Sequence, residues 1–411
     1  MKTYLLKTSP LVETKARRTA GRKPAPEEPA PAVAPTPPAG PVLCIGLDVH
    51  NDSIAVSIAP SDSTEVRRYG ILGGTHDDVL KLAKKLQAAH PGATLKFCYE
   101  AGPRGYPLCR FLRAQGHQCL IVCPSRVPRA PGDRVKTDRR DADQLARLLR
   151  AGELTGIHVP EPEDEAMRDF LRTRHQIVRA QHRARQQLKM FLLRHNIRYA
   201  GTTSWTPKHL RYLGTIKMPF ASQQFALQEL IATITEAAAR LQRFEAQLER
   251  EAAAWRWEPV VRALMSLRGV RLLNAAILVA ELGDLTRFTR PAELMSYLGL
   301  VPSERTTGAD RQQGGITKMG NGHARRALVE AAHQYRVGPR LSRQLQARQE
   351  GLPQGVTDTA WEAQRRLHHR YKQLSTVGRK KAPVIITALA RELSGFVWAI
   401  ARQVRPHERP R

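Results

Sequence analysis

Residues 42–49 (VLCIGLDV), 53–59 (SIAVSIA) and 64–71 (TEVRRYGI) are three short β-rich runs in close succession, separated by turn-like segments. Strands joined by so few residues predict an antiparallel meander. Beyond it the spacing predicts a helix over 75–89, a strand at LKFCYE (95–100), a second helix over 103–115 and a strand at QCLIVC (118–123). The order is βββαβαβ. Residues 1–41 precede this pattern, first basic and then dense in Pro and Ala, a composition that cannot bury a core and predicts a disordered tail.

A meander followed by crossovers is the arrangement of ribonuclease H-like nuclease domains, although order alone leaves other α/β folds open. In that arrangement the ends of the first and fourth strands lie side by side. This chain ends those strands with Asp48, after CIGL, and Glu100, after FCY. Either acid alone is an ordinary turn former. The segment 132–152 (GDRVKTDRRDADQLARLLRAG) then places Asp138 and Asp141 three residues apart at the start of a helix, where they share a face. Helix capping would account for acids there. Phosphoryl transfer would account for all four together, because it needs metal ions held by oxygen ligands from several elements. Oxygen ligands without His or Cys suit Mg²⁺, with Mn²⁺ an alternative. Asp143, offset by five from Asp138, should point elsewhere. Arg126, Arg129, Arg134, Lys136, Arg139 and Arg140 cluster beside the acids and are candidates to hold phosphates.

After 160 the chain turns helical. Met167, Leu171, Arg174, Val178, Gln181, Arg185, Leu188 and Leu192 follow alternating steps of four and three. Leu227, Leu230, Ile234, Ala237, Leu241, Phe244 and Leu248 repeat that spacing more cleanly over three heptads. A coiled-coil arm or dimer seam and an ordinary amphipathic pair both satisfy it. Residues 257–335 predict another compact, mostly helical region. Within it Gly269 and Gly283 flank an apolar helix that resembles a helix-hairpin-helix element able to offer amides to phosphate. A last helix over 382–404 carries Ile385, Leu389, Leu393, Phe396, Val397 and Ile400 on a core-facing stripe.

Composition narrows the partner. Lys and Arg number 66 against 37 Asp and Glu, a formal charge of +29 over 411 residues, so a polyanion is the natural ligand and nucleic acid the leading one. The five cysteines (Cys44, Cys98, Cys109, Cys119, Cys123) lack CxxC pairs and read as reduced core residues of a cytoplasmic protein. The amino terminus lacks a signal-peptide core, and no uninterrupted apolar run approaches the roughly 18 residues of a membrane span, so no membrane partner is expected.

Four separated segments carry a family likeness: CIGLDVHNDSIAVSIA, YEAGPRGYPL, PGDRVKTDRRDADQLARLLRAGEL and YLGLVPSERTTGADRQQGGITKMGNGHARRAL. Together they resemble the transposases of the insertion-sequence one-ten family, also described as DEDD recombinases, over 42–404. The resemblance implies an α/β RuvC-like domain at 42–160 and a helical coiled-coil region at 161–255. A mostly helical transposase domain with a nucleophile loop would follow at 256–345, then a carboxy-terminal linker and helix at 346–411. It implies that Asp48, Glu100, Asp138 and Asp141 bind metal and that a serine before a glycine forms a covalent bond to DNA. Thr307 stands at that serine's place, before Gly308. Its β-methyl restricts χ1 and crowds an in-line attack. Ser303, four residues earlier, and a catalytically weakened chain are the other readings. Asn51 stands where the family often has lysine. Arg311, Lys318, Arg325 and Arg326 would flank the scissile phosphate, with Gly314 and Gly315 admitting it to backbone amides. The implied partners are donor and target DNA, a noncoding bridge RNA that selects both by base pairing, and further copies of the chain in a homodimer or homotetramer. A hydrolytic junction nuclease and a non-catalytic nucleic-acid-binding derivative are the competing functions.

Overall fold

Short apolar runs, buried on both faces, decide how the first half folds. A computed structural model of the chain describes residues 40–128, 138–307 and 310–408, with the backbone only at 138, 139, 310 and 311. Strands β1 (Val42–Val49), β2 (Ser53–Pro60) and β3 (Arg67–Gly73) pair antiparallel as the expected meander. After helix α1 (His76–Ala89), strand β4 (Thr94–Glu100) lies parallel to β1. After α2 (Pro107–Ala114), β5 (Gln118–Val122) lies parallel to β4. The sheet order β3-β2-β1-β4-β5 is that of a ribonuclease H-like domain. Two boundaries shift: β3 starts at Arg67 rather than 64, and α2 at Pro107 rather than 103. The displaced start of α2 makes room for a turn at 103–106, where the Tyr99 hydroxyl donates to the Gly105 carbonyl at 3.1 Å.

Successive strand residues face opposite sides. Ile45, Leu47, Phe97 and Tyr99 form one face and are buried against Val79 and Leu82 of α1 and Leu108 and Leu112 of α2. Cys44 and Cys98 form the other face and pack against Ala146 and Leu145 of helix α3 (Asp138–Arg150). Four cysteines are buried, Cys123 is half-buried and all five are free thiols, as expected of core residues.

The chain divides into two compact units at Val159 and Pro160. In the second, α4 (Pro162–Arg194) and α6 (Ala221–Ala254) have 33 and 34 residues and pack on one another, joined through α5 (Pro207–Thr215). Each is about 50 Å long at about 1.5 Å per residue. The heptad positions are buried inside the chain: Leu227 and Ile234 meet Leu188 and Leu192 in a cluster closed by Leu213 of α5. Nearer the other end, Met167 and Leu171 of α4 and Leu248 and Ala252 of α6 join the core of the helices that follow.

Those helices are α7 (Glu258–Leu264), α8 (Leu272–Leu282) and α9 (Pro291–Tyr297), then, after a hairpin of β6 (Pro302–Thr307) and β7 (Asp310–Ile316), α10 (Gly322–Ala332), α11 (Arg343–Gln349), α12 (Gln354–Lys372) and α13 (Ala382–Ala401). One expectation is corrected here. The stretch 346–381, expected as a linker, contains α12, whose Val356, Ala360, Ala363 and Leu367 are fully buried. Small alanines carry half of that stripe, so its apolar signal in the sequence is faint. The expected nucleophile position, Thr307, ends β6 and pairs with Asp310 of β7, and residues 308 and 309 lie outside the described residues. Helix α13 is long and apolar enough to cross a membrane by composition. It packs as a core helix, with Ile385, Leu389, Leu393, Val397 and Ile400 buried and Arg391 and Glu392 interrupting its apolar run.

Candidate active site

The register of the parallel strands brings the first two acids together. Leu47 pairs with Tyr99, so one residue further on Asp48 stands beside Glu100, one strand spacing or about 4.8 Å away along the backbone. Both continue the α3-facing side of the sheet, because Gly46 and Cys98, two residues before them, contact that helix. Each acid is half-buried. His50 sits at the edge of the pair, its Nε2 at 3.1 Å from Asp48 Oδ2.

Helix α3 approaches this pair from a fixed direction. Cys44 packs with Ala146 and Leu149, and Gly46 lies under the backbone between Ala142 and Ala146. The helix therefore runs back along β1, and its first turn, with Asp138 and Asp141, comes to the Asp48 end of the strand. That turn also presents the positive end of the helix dipole to the acids. Gly46 is what permits the approach: a Cβ there would lie 2.3 Å from the Ala142 carbonyl oxygen and 2.6 Å from the Ala146 nitrogen. Backbone cannot yield as a flexible side chain can. Gly46→Ala is expected to destabilise the first unit by about 3 kcal/mol, read as a lower urea midpoint by circular dichroism. An unchanged midpoint would mean that α3 does not rest on β1 here.

Asp143 points away from the acids, as its offset predicts. It accepts from Ser57 Oγ at 2.6 Å and from Arg68 Nε at 2.8 Å, and that hydrogen bond holds the Arg68 guanidinium above its usual pKa. Of the basic residues beside the acids, Arg140 is exposed on α3. Arg129, Arg134 and Lys136 lie outside the described residues, as does the side chain of Arg139.

By chemistry alone the expected donors suit a hard divalent cation. Asp48, Glu100 and Asp141 offer only carboxylate oxygens, from two strand ends and one helix turn. Among the described side chains no group of three or more His, Cys, Asp or Glu lies close enough to hold a metal ion. The expected set includes Asp138, whose side chain is outside the described residues.

Thr307 is the last residue of β6 and pairs with Asp310 across the tip of the hairpin, where it is exposed. Ser303 occupies the other end, at a register shift between Pro302 and Glu304, with its hydroxyl against Gly314. Four residues of strand put the two hydroxyl-bearing positions about 13 Å apart. Gly314 and Gly315 thus belong to a strand rather than to an amide-lined loop. Lys318 follows the hairpin, exposed and with a left-handed φ of 55°. Arg325 Nη1 donates to the Leu298 carbonyl at 2.8 Å, and burial lowers its pKa, so it ties α10 to the end of α9. Arg326 pairs with Glu330 at 3.0 Å. The side chain of Arg311 is outside the described residues.

Three positioning residues went unread in the sequence. His50 could have been flagged by its two-residue spacing from Asp48, and Gly46 by being a glycine inside a strand. Arg104 donates to the carbonyls of Asn51, at 2.8 Å, and of Gly74, tying the loop after β1 to the loop before α1. No local pattern announces that contact. At Asn51, where lysine was noted as common, the structure uses the backbone carbonyl.

Comparison with known proteins gives concordant matches. Residues 45–197 match a family model described as a transposase of DEDD, IS110 type, and residues 261–346 match one described as the transposase IS116/IS110/IS902 family. A putative transposase of Sinorhizobium fredii is 44% identical over 362 residues, covering 88% of this chain and 89% of its own. The transposase for insertion sequence element IS1533 of Leptospira borgpetersenii is 31% identical over 345 residues, 82% of this chain and 97% of its own. A probable family 20 transposase of Pseudomonas aeruginosa is 27% identical over 54% of this chain and 66% of its own.

Proposed function

Since the chain belongs to the IS116/IS110/IS902 family of insertion-sequence transposases, we propose that it cuts and rejoins DNA through a set of four carboxylates and a covalent threonine ester. The observation that carries this reading is the pairing of Asp48 and Glu100 at adjacent strand ends, on the sheet face where α3 begins. Asp48, Glu100, Asp138 and Asp141 would hold Mg²⁺ or Mn²⁺, which when bound supplies charge stabilisation for the phosphate under attack.

Thr307 Oγ1, losing its proton, attacks the phosphorus of one strand. A threonine–phosphorus ester forms as the bond to the departing strand's oxygen breaks, and that oxygen leaves as a hydroxyl. The ester keeps the bond energy of the phosphodiester. A hydroxyl from a new partner strand then displaces Thr307 and restores the diester. Lys318, Arg326 and Arg311 would contact phosphates beside the hairpin. We further propose that a noncoding bridge RNA selects donor and target DNA by base pairing, leaving the protein to read backbone shape, and that the working form is a homodimer or homotetramer.

The test incubates the full chain and its element's RNA with labelled target DNA and Mg²⁺, then maps any protein–DNA adduct by denaturing electrophoresis and peptide analysis. An adduct at Thr307 that is lost in Thr307→Ala is the expected result. Cleavage with free 5′-phosphate ends and no adduct would replace the ester with attack by water. A second readout needs no DNA: Mg²⁺ should raise the thermal midpoint of the first unit in the wild type and not in Asp48→Asn.

A further inference from the structure

Four arginines converge in the second unit without a carboxylate among them. Arg268 and Arg271, in the turn between α7 and α8, and Arg340 and Arg348, before and within α11, line one concavity of about 370 Å³. Its other walls include Gly269, Ser342 and Gln344, and no Asp or Glu. Two of the cations are fixed by backbone. Arg268 Nη1 donates to the carbonyls of Val337 at 3.1 Å and Gly338 at 2.7 Å, and Arg348 to those of Val270 at 2.5 Å and Gln344 at 3.3 Å. Carbonyls orient a guanidinium and leave its charge in place. Burial, and then the charge of Arg340, lowers the pKa of Arg268; burial, and then the charge of Arg271, lowers that of Arg348. Arg340 thus bears on Arg268 and Arg271 on Arg348, with no acid among the described residues that line the cavity.

The surroundings fit an anion. Gly269, at a φ of 83°, lies so close to α10 that a Cβ would be 2.4 Å from the Ala331 carbonyl oxygen. Arg271 is the N-cap of α8 and makes no side-chain cap hydrogen bond, so the positive end of the helix dipole begins at the cavity wall. Tyr335 is fully buried within electrostatic reach of Arg268 and Arg348, and among the described residues its hydroxyl has no hydrogen-bond partner. Planar guanidinium forks match phosphate oxygens better than ammonium groups do. The volume would admit about a dozen waters at about 30 Å³ each, more than a single inorganic phosphate needs.

We propose that this cavity binds a phosphodiester of duplex nucleic acid, gripping the backbone through residues other than those assigned to strand cleavage. The test is equilibrium binding of the full chain in EDTA, so that its failure is distinguishable from failure of the cleavage reading. Anisotropy of a labelled duplex of about 30 base pairs, as DNA and as RNA, is followed against KCl for wild type, R271Q/R340Q and the charge-matched R240Q/R243Q, both of the latter arginines being exposed on α6. R271Q/R340Q should bind about tenfold more weakly. Its slope of log K against log salt should fall by about 0.9 for each phosphate released, with R240Q/R243Q unchanged. A loss with both duplexes supports a shared backbone site, and a loss with one names its occupant. Equal losses in the two variants, or an unchanged slope in R271Q/R340Q, would overturn the site.

Discussion

Asp48→Asn is expected to lower DNA strand cleavage by at least about 10³-fold while leaving the fold and duplex binding in place. The substitution keeps the side chain's shape at the end of β1, where it is 19% exposed, and removes only its charge. In the absence of metal, the carboxylates of Asp48 and Glu100 at adjacent strand ends repel each other, so losing one should leave the unfolding midpoint unchanged or raise it. Falling activity with rising stability is the signature of an acid kept for chemistry. Asp143→Asn supplies the contrast. That acid serves Ser57 and an Arg68 side chain that is 59% exposed, an arrangement worth little to stability, and cleavage should survive its loss. Both variants are read on the same denaturing gel. Cleavage retained by Asp48→Asn would turn the reading toward a nucleic-acid-binding protein whose acids serve only the fold.

Glu281→Gln should destabilise the second unit by about 3–5 kcal/mol. The carboxylate is 2% exposed and accepts two bonds from Arg172, at 2.8 and 2.9 Å, and one from Asn321 at 2.7 Å, with Arg168 Nε at 3.7 Å. Asn321 in turn caps α10 by accepting from His323 and Ala324, both at 3.0 Å. One acid therefore fastens α4 to α8 and fixes the start of the helix that follows the Thr307 hairpin. Removing its charge takes a buried anion away from Arg172 at 2.8 Å and Arg168 at 3.7 Å. Burial pushes the Glu281 carboxyl up, but hydrogen bonds from Arg172 and Asn321 and the arginine charges outweigh it, and the folded pKa is lowered. A lowered carboxyl pKa contributes stability above its unfolded value, about 4.3, and that contribution is lost as pH falls through the folded value. The gap between wild type and Glu281→Gln should thus be full at neutral pH and close in acid. All five tryptophans (Trp205, Trp255, Trp257, Trp361, Trp398) lie in the second unit, so their fluorescence reports its unfolding alone. A gap that stays constant down to acid pH would show that the charge of Glu281 is not what holds the three elements.

The amino-acid sequence by itself determined the features that rest on short-range periodicity. Short, nearly continuous apolar runs made 42–49, 53–60 and 94–100 strands and brought Asp48 and Glu100 to their ends, and the five-residue offset turned Asp143 away from the other acids. Heptad spacing marked a buried seam on α4 and α6 without naming its partner, because a leucine stripe is the same whether a second chain or the same chain covers it. Only the tertiary structure decided that α4 and α6 cover each other. It also made a hairpin of 302–316, whose residues are largely polar and exposed on both faces and so carry no alternation to read; cross-strand hydrogen bonds define those strands. The register of β1 against β4, the closeness that Gly46 grants α3, and the meeting of Arg268 and Arg271 with Arg340 and Arg348 were likewise settled in three dimensions. Each joins residues tens of positions apart, and packing between such segments leaves no period in the chain.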